Sequence, residues 1–289
     1  MNGADARVRV EWTAVLARSS TMIRRTLTSF MLVVVSACGA PKGPAPTSAK
    51  ATAPAPRALY RSVHIDHLAP DKFAQFEGAR RAWVDAMRAA NAHDGRGVFL
   101  QVGADTLYNV RSFATYASFD TRNDAINASL AHVPKEAVDR YDRLSDESLV
   151  FPHRSEIWRL DDDLSYVPAQ GALSESTASF GTVILEDVRP DIDSENRYWN
   201  ARGEINKALA EARYPLTRLS FPCVYGAGRL TTLVLAASKE ALEGAPSVEV
   251  VVEKVRGAER AKSLAAEVEA SVEKREMLPL VVRHDLTWE

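Results

Sequence analysis

The chain repeats one order of hydrophobic periods. From Tyr60 to Leu68 apolar and polar residues alternate, and Pro70-Asp71 then ends the run. That is a strand closed by a proline turn that opens a helix. Over 71–92, Phe73, Phe76, Trp83, Met87 and Ala90 recur at helical spacing. Strands are predicted at Val98 to Val102 and Tyr108 to Phe119, around the turn Gly103-Ala104-Asp105. Helices over Asp120 to Leu130 and Lys135 to Leu149 are interrupted by Pro134, and Ser155 to Leu160 closes the unit as a strand. The order then returns. Phe180 to Val188 is a strand before Pro190-Asp191, and Asp193 to Arg213 carries Tyr198, Arg202, Ile205, Leu209 and Ala212 at helical spacing. Leu216 to Tyr225 and Leu230 to Ala236 flank Gly226-Ala227-Gly228 as a hairpin. Ser238 to Leu242 and Ala258 to Lys274 are helical, Val248 to Val255 reads either way, and Leu280 to Trp288 is the last strand.

The two starts align without a gap at a spacing of 120 residues: Ser62 with Thr182, Val63 with Val183, Ile65 with Leu185, Asp66 with Glu186, Pro70 with Pro190. Each copy therefore reads β-α-β-β-α-β, the split βαβ ferredoxin-like unit, and the fold class is α+β. A sheet with helices on one face leaves the other face open, and a second sheet covers it. Two such repeats packed sheet to sheet resemble the dimeric α+β barrel superfamily, with the nearest general likeness to NIPSNAP-like and EthD-like domains. The resemblance spans roughly 58–289, is topological and carries no diagnostic motif. It implies a pseudo-dimeric barrel with any ligand pocket in the space between the sheets. The boundaries are 58–165 for the first repeat, 166–177 for a linker and 178–289 for the second repeat.

Before the repeats comes a different chemistry. Arg24-Arg25 precede a short apolar run from Thr26 to Val35, and then Val35-Ser36-Ala37-Cys38-Gly39 follows. The run is shorter than the roughly 20 residues a membrane span needs, and it reads as an export signal. Its end resembles the bacterial lipobox, which implies cleavage before Cys38 and lipidation of that thiol. Residues 1–37 are thus the expected signal, with Met22 as the expected true start because 1–21 is long and polar. Gly39, in place of Asp, implies outer-membrane sorting by the same resemblance. The Pro- and Ala-rich stretch from Gly39 to Arg57 lacks the apolar residues of a core and reads as a tether after Cys38.

Charge narrows the partners. The chain carries 36 basic and 38 acidic residues; without the signal, which holds five arginines against Asp5 and Glu11, the balance is −5. A nucleic-acid binder needs a basic footprint, so none is expected. The expected partners are a membrane, through the lipid, and a small molecule or an envelope protein. Cys38 and Cys223 are the two cysteines, and neither lies in a CxxC pair. No thiolate zinc site, no other metal and no cofactor is expected. Cys223 lies in an apolar stretch and reads as an inert core thiol. The nucleophile-elbow, zincin, P-loop, dinucleotide and EF-hand signatures are all missing.

Strand alternation supplies the remaining candidates. With Val63, Ile65 and Leu68 assigned to the helix side, Ser62, His64 and Asp66 face the inter-sheet space, as do Thr182, Ile184 and Glu186 in the second copy. A histidine beside a carboxylate is an acid/base or ligand pair, so His64 and Asp66 are candidates for catalysis and binding. Glu186 and Trp158 join them as binding candidates, and His284, beside Asp285, as a catalytic one. His93, His132 and His153 are assigned to loops or helix ends, and Asp161-Asp162-Asp163 to a solvated connection. The leading expectation is an envelope lipoprotein that binds a small ligand or a partner. The alternatives are an enzyme of the barrel type, monooxygenase-like or haem-handling, and a non-catalytic scaffold.

Overall fold

The computed structural model describes residues 59–92 and 97–288. The lipidation call on Cys38, the signal, the tether and His93 lie outside the described residues. The first repeat runs β1 (Tyr60–Leu68), α1 (Phe73–Ala89), β2 (Val98–Val102), β3 (Thr106–Phe113), α2 (Tyr116–Leu130), α3 (Lys135–Asp146) and β4 (Leu149–Arg159). A connecting strand, β5 (Asp161–Tyr166), follows. The second repeat runs β6 (Phe180–Val188), α4 (Ile192–Glu211), β7 (Thr217–Tyr225), β8 (Leu230–Ala236), α5 (Lys239–Gly244), α6 (Val248–Arg256), α7 (Ala258–Ser271) and β9 (Val272–Val282).

The strand order is β4-β1-β3-β2-β9-β6-β8-β7-β5, with β4 also paired to β7. Each repeat thus contributes a ferredoxin-like sheet, and the two join edge to edge. At one seam Leu100, Gln101 and Val102 pair with Val282, Val281 and Leu280. At the other Ile157 and Trp158 pair with Tyr225 and Cys223. The result is a closed α+β barrel, in which pairing at both seams satisfies edges that each sheet alone would expose.

One apolar cluster fills the barrel from both repeats, including Val63, Ile65, Trp158, Val183, Phe221 and Leu233. Gly181 belongs to the same packing: a Cβ there would stand 2.2 Å from the Val234 carbonyl oxygen, so no larger residue fits. The helices cover the outer faces. Leu68, Phe76, Phe99 and Leu107 pack together in the first repeat, and Ile184, Tyr198, Val234 and Leu264 in the second.

This packing corrects the assignment of faces. Val63 and Ile65 point into the barrel, so Ser62, His64 and Asp66 lie on the outer face with Leu68; Ile184 and Glu186 lie outside as well. Alternation identifies two faces but does not say which one closes. The barrel interior is the drier of the two, so it takes the apolar set. Several boundaries also move. β3 stops at Phe113 because Thr115 caps α2, its hydroxyl accepting from the Ser118 amide. β4 begins at Leu149 rather than Ser155, which puts His153 on a strand. Asp161–Tyr166 pairs with β7 instead of hanging as a connection. The last strand is Val272–Val282, earlier than expected, and the ambiguous valine run is helical, capped by Ser247.

Candidate functional site

Above the outer face of the second repeat, α5, α6 and α7 enclose a cavity of about 630 Å³. Its walls are mostly aliphatic, among them Ile184, Leu216, Val234, Val252 and Leu264. A cavity of this size, apolar with a few placed polar groups, is the usual form of a small-molecule site. The charged groups of its lining are three arginines, Arg202 from α4, Arg218 from β7 and Arg275 from β9, and two carboxylates, Glu249 and Glu269, with the hydroxyls of Thr182 and Ser247 beside them.

Glu186 lies under this floor with no exposure at all. Its carboxylate accepts from the Tyr198 hydroxyl, from Arg202 Nη2 and, at 2.8 Å, from Arg275 Nε. Arg202 Nε also donates to the Tyr198 hydroxyl at 3.0 Å. Burial works to raise the Glu186 carboxyl; the charges of Arg202 and Arg275 and the hydrogen bonds from Tyr198 and Arg202 outweigh it and hold it below the usual range. Burial pushes the Tyr198 phenol up, with the Glu186 charge adding to the effect. Burial opposes the charged form of Arg202, yet its contacts with Tyr198 and Glu186 prevail and raise it.

Arg218 is different. It lies on β7 opposite Val234, facing the helices, and is only 5% exposed. Among the described residues its guanidinium makes no direct hydrogen bond or ion pair. Burial, with the Arg202 charge adding to it, pushes its guanidinium down to about 10, so it remains a cation at neutral pH. Glu186 is met by Arg202 and Arg275, and Arg275 also reaches Glu269 at 2.9 Å, so Arg218 is the arginine of this lining that makes no direct ion pair among the described residues.

The candidates chosen from sequence separate into four places. Glu186 belongs to the floor just described. His64 and Asp66 meet on the outer face of the first repeat, where His64 Nε2 is 3.1 Å from Asp66 Oδ1. Trp158 is buried inside the barrel, its indole N–H donating to Glu156 at 2.7 Å, and it is not part of the cavity lining. His284 sits in an exposed turn after β9, 2.8 Å from the Ala178 carbonyl. It is not a strand residue, because β9 ends at Val282 before it. His153, assigned to a loop or helix end, is on β4 and bonds Asp66 at 3.1 Å. Cys223 is half-buried rather than core, and burial raises its thiol pKa. Arg218 escaped notice in the sequence. Its signal was an arginine inside an otherwise strand-like apolar run, Leu216 to Tyr225.

No protein-family model and no curated protein matches the chain. Among solved structures, it is similar to a candidate monooxygenase from Fusobacterium nucleatum at 12% identity and a TM-score of 0.47, covering 78% of this chain and 93% of that one. An anthrone oxidase-like protein aligns at 11% identity and a TM-score of 0.45, over 78% and 92%. Chlorite dismutase from Candidatus Nitrospira defluvii aligns at 11% identity and a TM-score of 0.42, over 79% and 92%. At such identities and scores these proteins assign neither an activity nor a cofactor to this chain.

Proposed function

We propose that this chain is a cell-envelope lipoprotein, anchored through Cys38, whose second repeat binds a small apolar monoanion such as a carboxylic acid. The observation that carries the binding reading is Arg218, a buried cation on a largely aliphatic cavity that makes no direct ion pair among the described residues. An unpaired buried charge is costly, and a planar guanidinium matches a carboxylate through two parallel hydrogen bonds. The aliphatic walls supply the apolar part of the affinity. The basic, apolar and small-residue order before Cys38 supports the anchor.

The groups around the cavity favour binding over proton transfer. Glu186 is held down, Tyr198 and Arg202 are held up, and Arg218 stays charged. A general acid or base works best with a pKa near the operating pH; Glu186, Tyr198 and Arg202 are moved away from it, and Arg218, though lowered to about 10, stays well above it.

The test uses the fluorescence of anilinonaphthalene sulfonate, an apolar anion, with decanoate and decanol as competitors. Decanoate is expected to displace the dye from the wild-type chain far better than decanol does. In Arg218→Leu the preference for decanoate is expected to fall about 10-fold or more, the scale of one charged hydrogen-bonded contact. Equal displacement by acid and alcohol in the wild type would overturn the reading. For the anchor, Cys38→Ser is expected to move the protein from the membrane fraction to the soluble fraction.

A further inference from the structure

The outer face of the first repeat holds a second constellation, independent of the cavity. On β1, His64 and Asp66 are two residues apart and so share a face. Opposite them on β4 the regular register breaks. Ile65 still pairs with Arg154, but His67 pairs with Val150, so β4 carries extra residues across from Asp66. This is a β-bulge, and Pro152, which cannot donate to a ladder, lies within it. The bulge turns His153 onto Asp66.

Three donor atoms converge there: His64 Nε2, His153 Nδ1 and an Asp66 carboxylate oxygen, all within 4.8 Å of one another. Both imidazoles stand 3.1 Å from Asp66 Oδ1. An ion held by nitrogen and oxygen at about 2.0–2.1 Å in a tetrahedron requires ligand atoms about 3.3 Å apart. The carboxylate-to-imidazole separations are already close to that spacing, and the two imidazole nitrogens lie within 4.8 Å of each other. His64 Nδ1 lies 2.9 Å from Ser155 Oγ. With Nδ1–H donated to Ser155, the Nε2 lone pair points at the ion, which is how metal-binding histidines are usually oriented. Side-chain exposure is 33% for His64 against 13% for His153 and 10% for Asp66, so the site opens to solvent on the His64 side.

We infer that His64, Asp66 and His153 bind one divalent transition-metal ion of the zinc or ferrous type, with water completing its coordination. Two nitrogens and one carboxylate suit such ions; calcium and magnesium prefer all-oxygen sets, and cuprous copper prefers sulfur. The second repeat does not reproduce the set, since Ile184 stands where His64 does.

The experiment is calorimetric titration of the tag-free full chain with zinc, followed by absorbance during titration with cobalt(II). Wild type is expected to bind one equivalent of zinc and to give visible cobalt bands. His64→Ala and His153→Ala are each expected to weaken zinc binding at least about 10-fold, and His284→Ala to leave it unchanged. Ser155→Ala keeps all three ligands and is expected to weaken binding about 10-fold, which tests the site if a ligand variant folds poorly. Absence of saturable binding, or equal affinity in the wild type and the Ser155, His64 and His153 variants, would overturn the inference.

Discussion

Asp66 and Glu186 occupy the same position in the two repeats, yet their surroundings have opposite chemistry. Both face outward near the end of the first strand of their unit. One residue past the Ile65–Arg154 pair, β4 offers His153; one past the Leu185–Glu276 pair, β9 offers Arg275. The helices differ as well. Their buried faces align Phe76 and Arg80 of α1 with Tyr198 and Arg202 of α4. Phe76 has no hydroxyl to donate. Arg80 is drawn away, donating to the Leu286 carbonyl at 3.0 Å and lying 4.3 Å above the Phe99 ring. Asp66 is thus left to two imidazoles, whereas Glu186 is locked by two guanidinium groups and a phenol. The lesson is that a repeated carboxylate sets a location, while its partners from other elements set its role. One became a fixed structural anion, the other a donor open to an ion.

The sharpest way to break this comparison is to neutralise both carboxylates. Glu186→Gln leaves Arg202 without its buried counter-charge and is expected to cost about 3–5 kcal/mol. Asp66→Asn, beside half-open imidazoles, is expected to cost about 1 kcal/mol. Denaturant titration of both variants checks the difference, and equal losses would show the two sites to be energetically alike. Next in size, and opposite in sign, is Arg218→Leu. Removing a buried cation with no partner while keeping aliphatic volume is expected to stabilise the chain by about 1–3 kcal/mol, read as a higher Tm without ligand. A lower Tm would mean that Arg218 is structurally paired after all.

The smallest effect is in acid. The folded-state pKa of Glu186 is lowered. Its contribution is therefore complete above the unfolded value of about 4.3, and it is lost as pH falls through the lower folded value. Wild type is expected to lose Tm over that window more steeply than Glu186→Gln, and parallel curves would remove Glu186 from the account.

The repeat was legible because its signals are local. Strand alternation, the proline after each first strand, helical stripes and hairpin glycines depend on a few neighbouring residues. They placed β2 and β8 to the residue and found the ferredoxin-like units. His64, Asp66 and Glu186 were picked out by alternation alone, and the pairing of Asp66 with Glu186 came from the gapless spacing. His153 was missed because a bulge cancels the pattern that would announce a strand. Trp158 was chosen near the end of its strand and His284 on the expected last strand beside Asp285, and a strand position does not reveal whether it meets a cavity, a filled core or an exposed turn.

The sequence by itself determined the duplicated β-α-β-β-α-β order, the acidic balance and the residue types at each strand position, since these follow from short-range periods and composition. Only the tertiary structure decided which sheet face closes into the barrel, where the cavity lies and which partners each carboxylate receives. Those outcomes depend on contacts between elements far apart in the chain. A side chain's chemistry there is set by burial and by neighbours that no local pattern specifies.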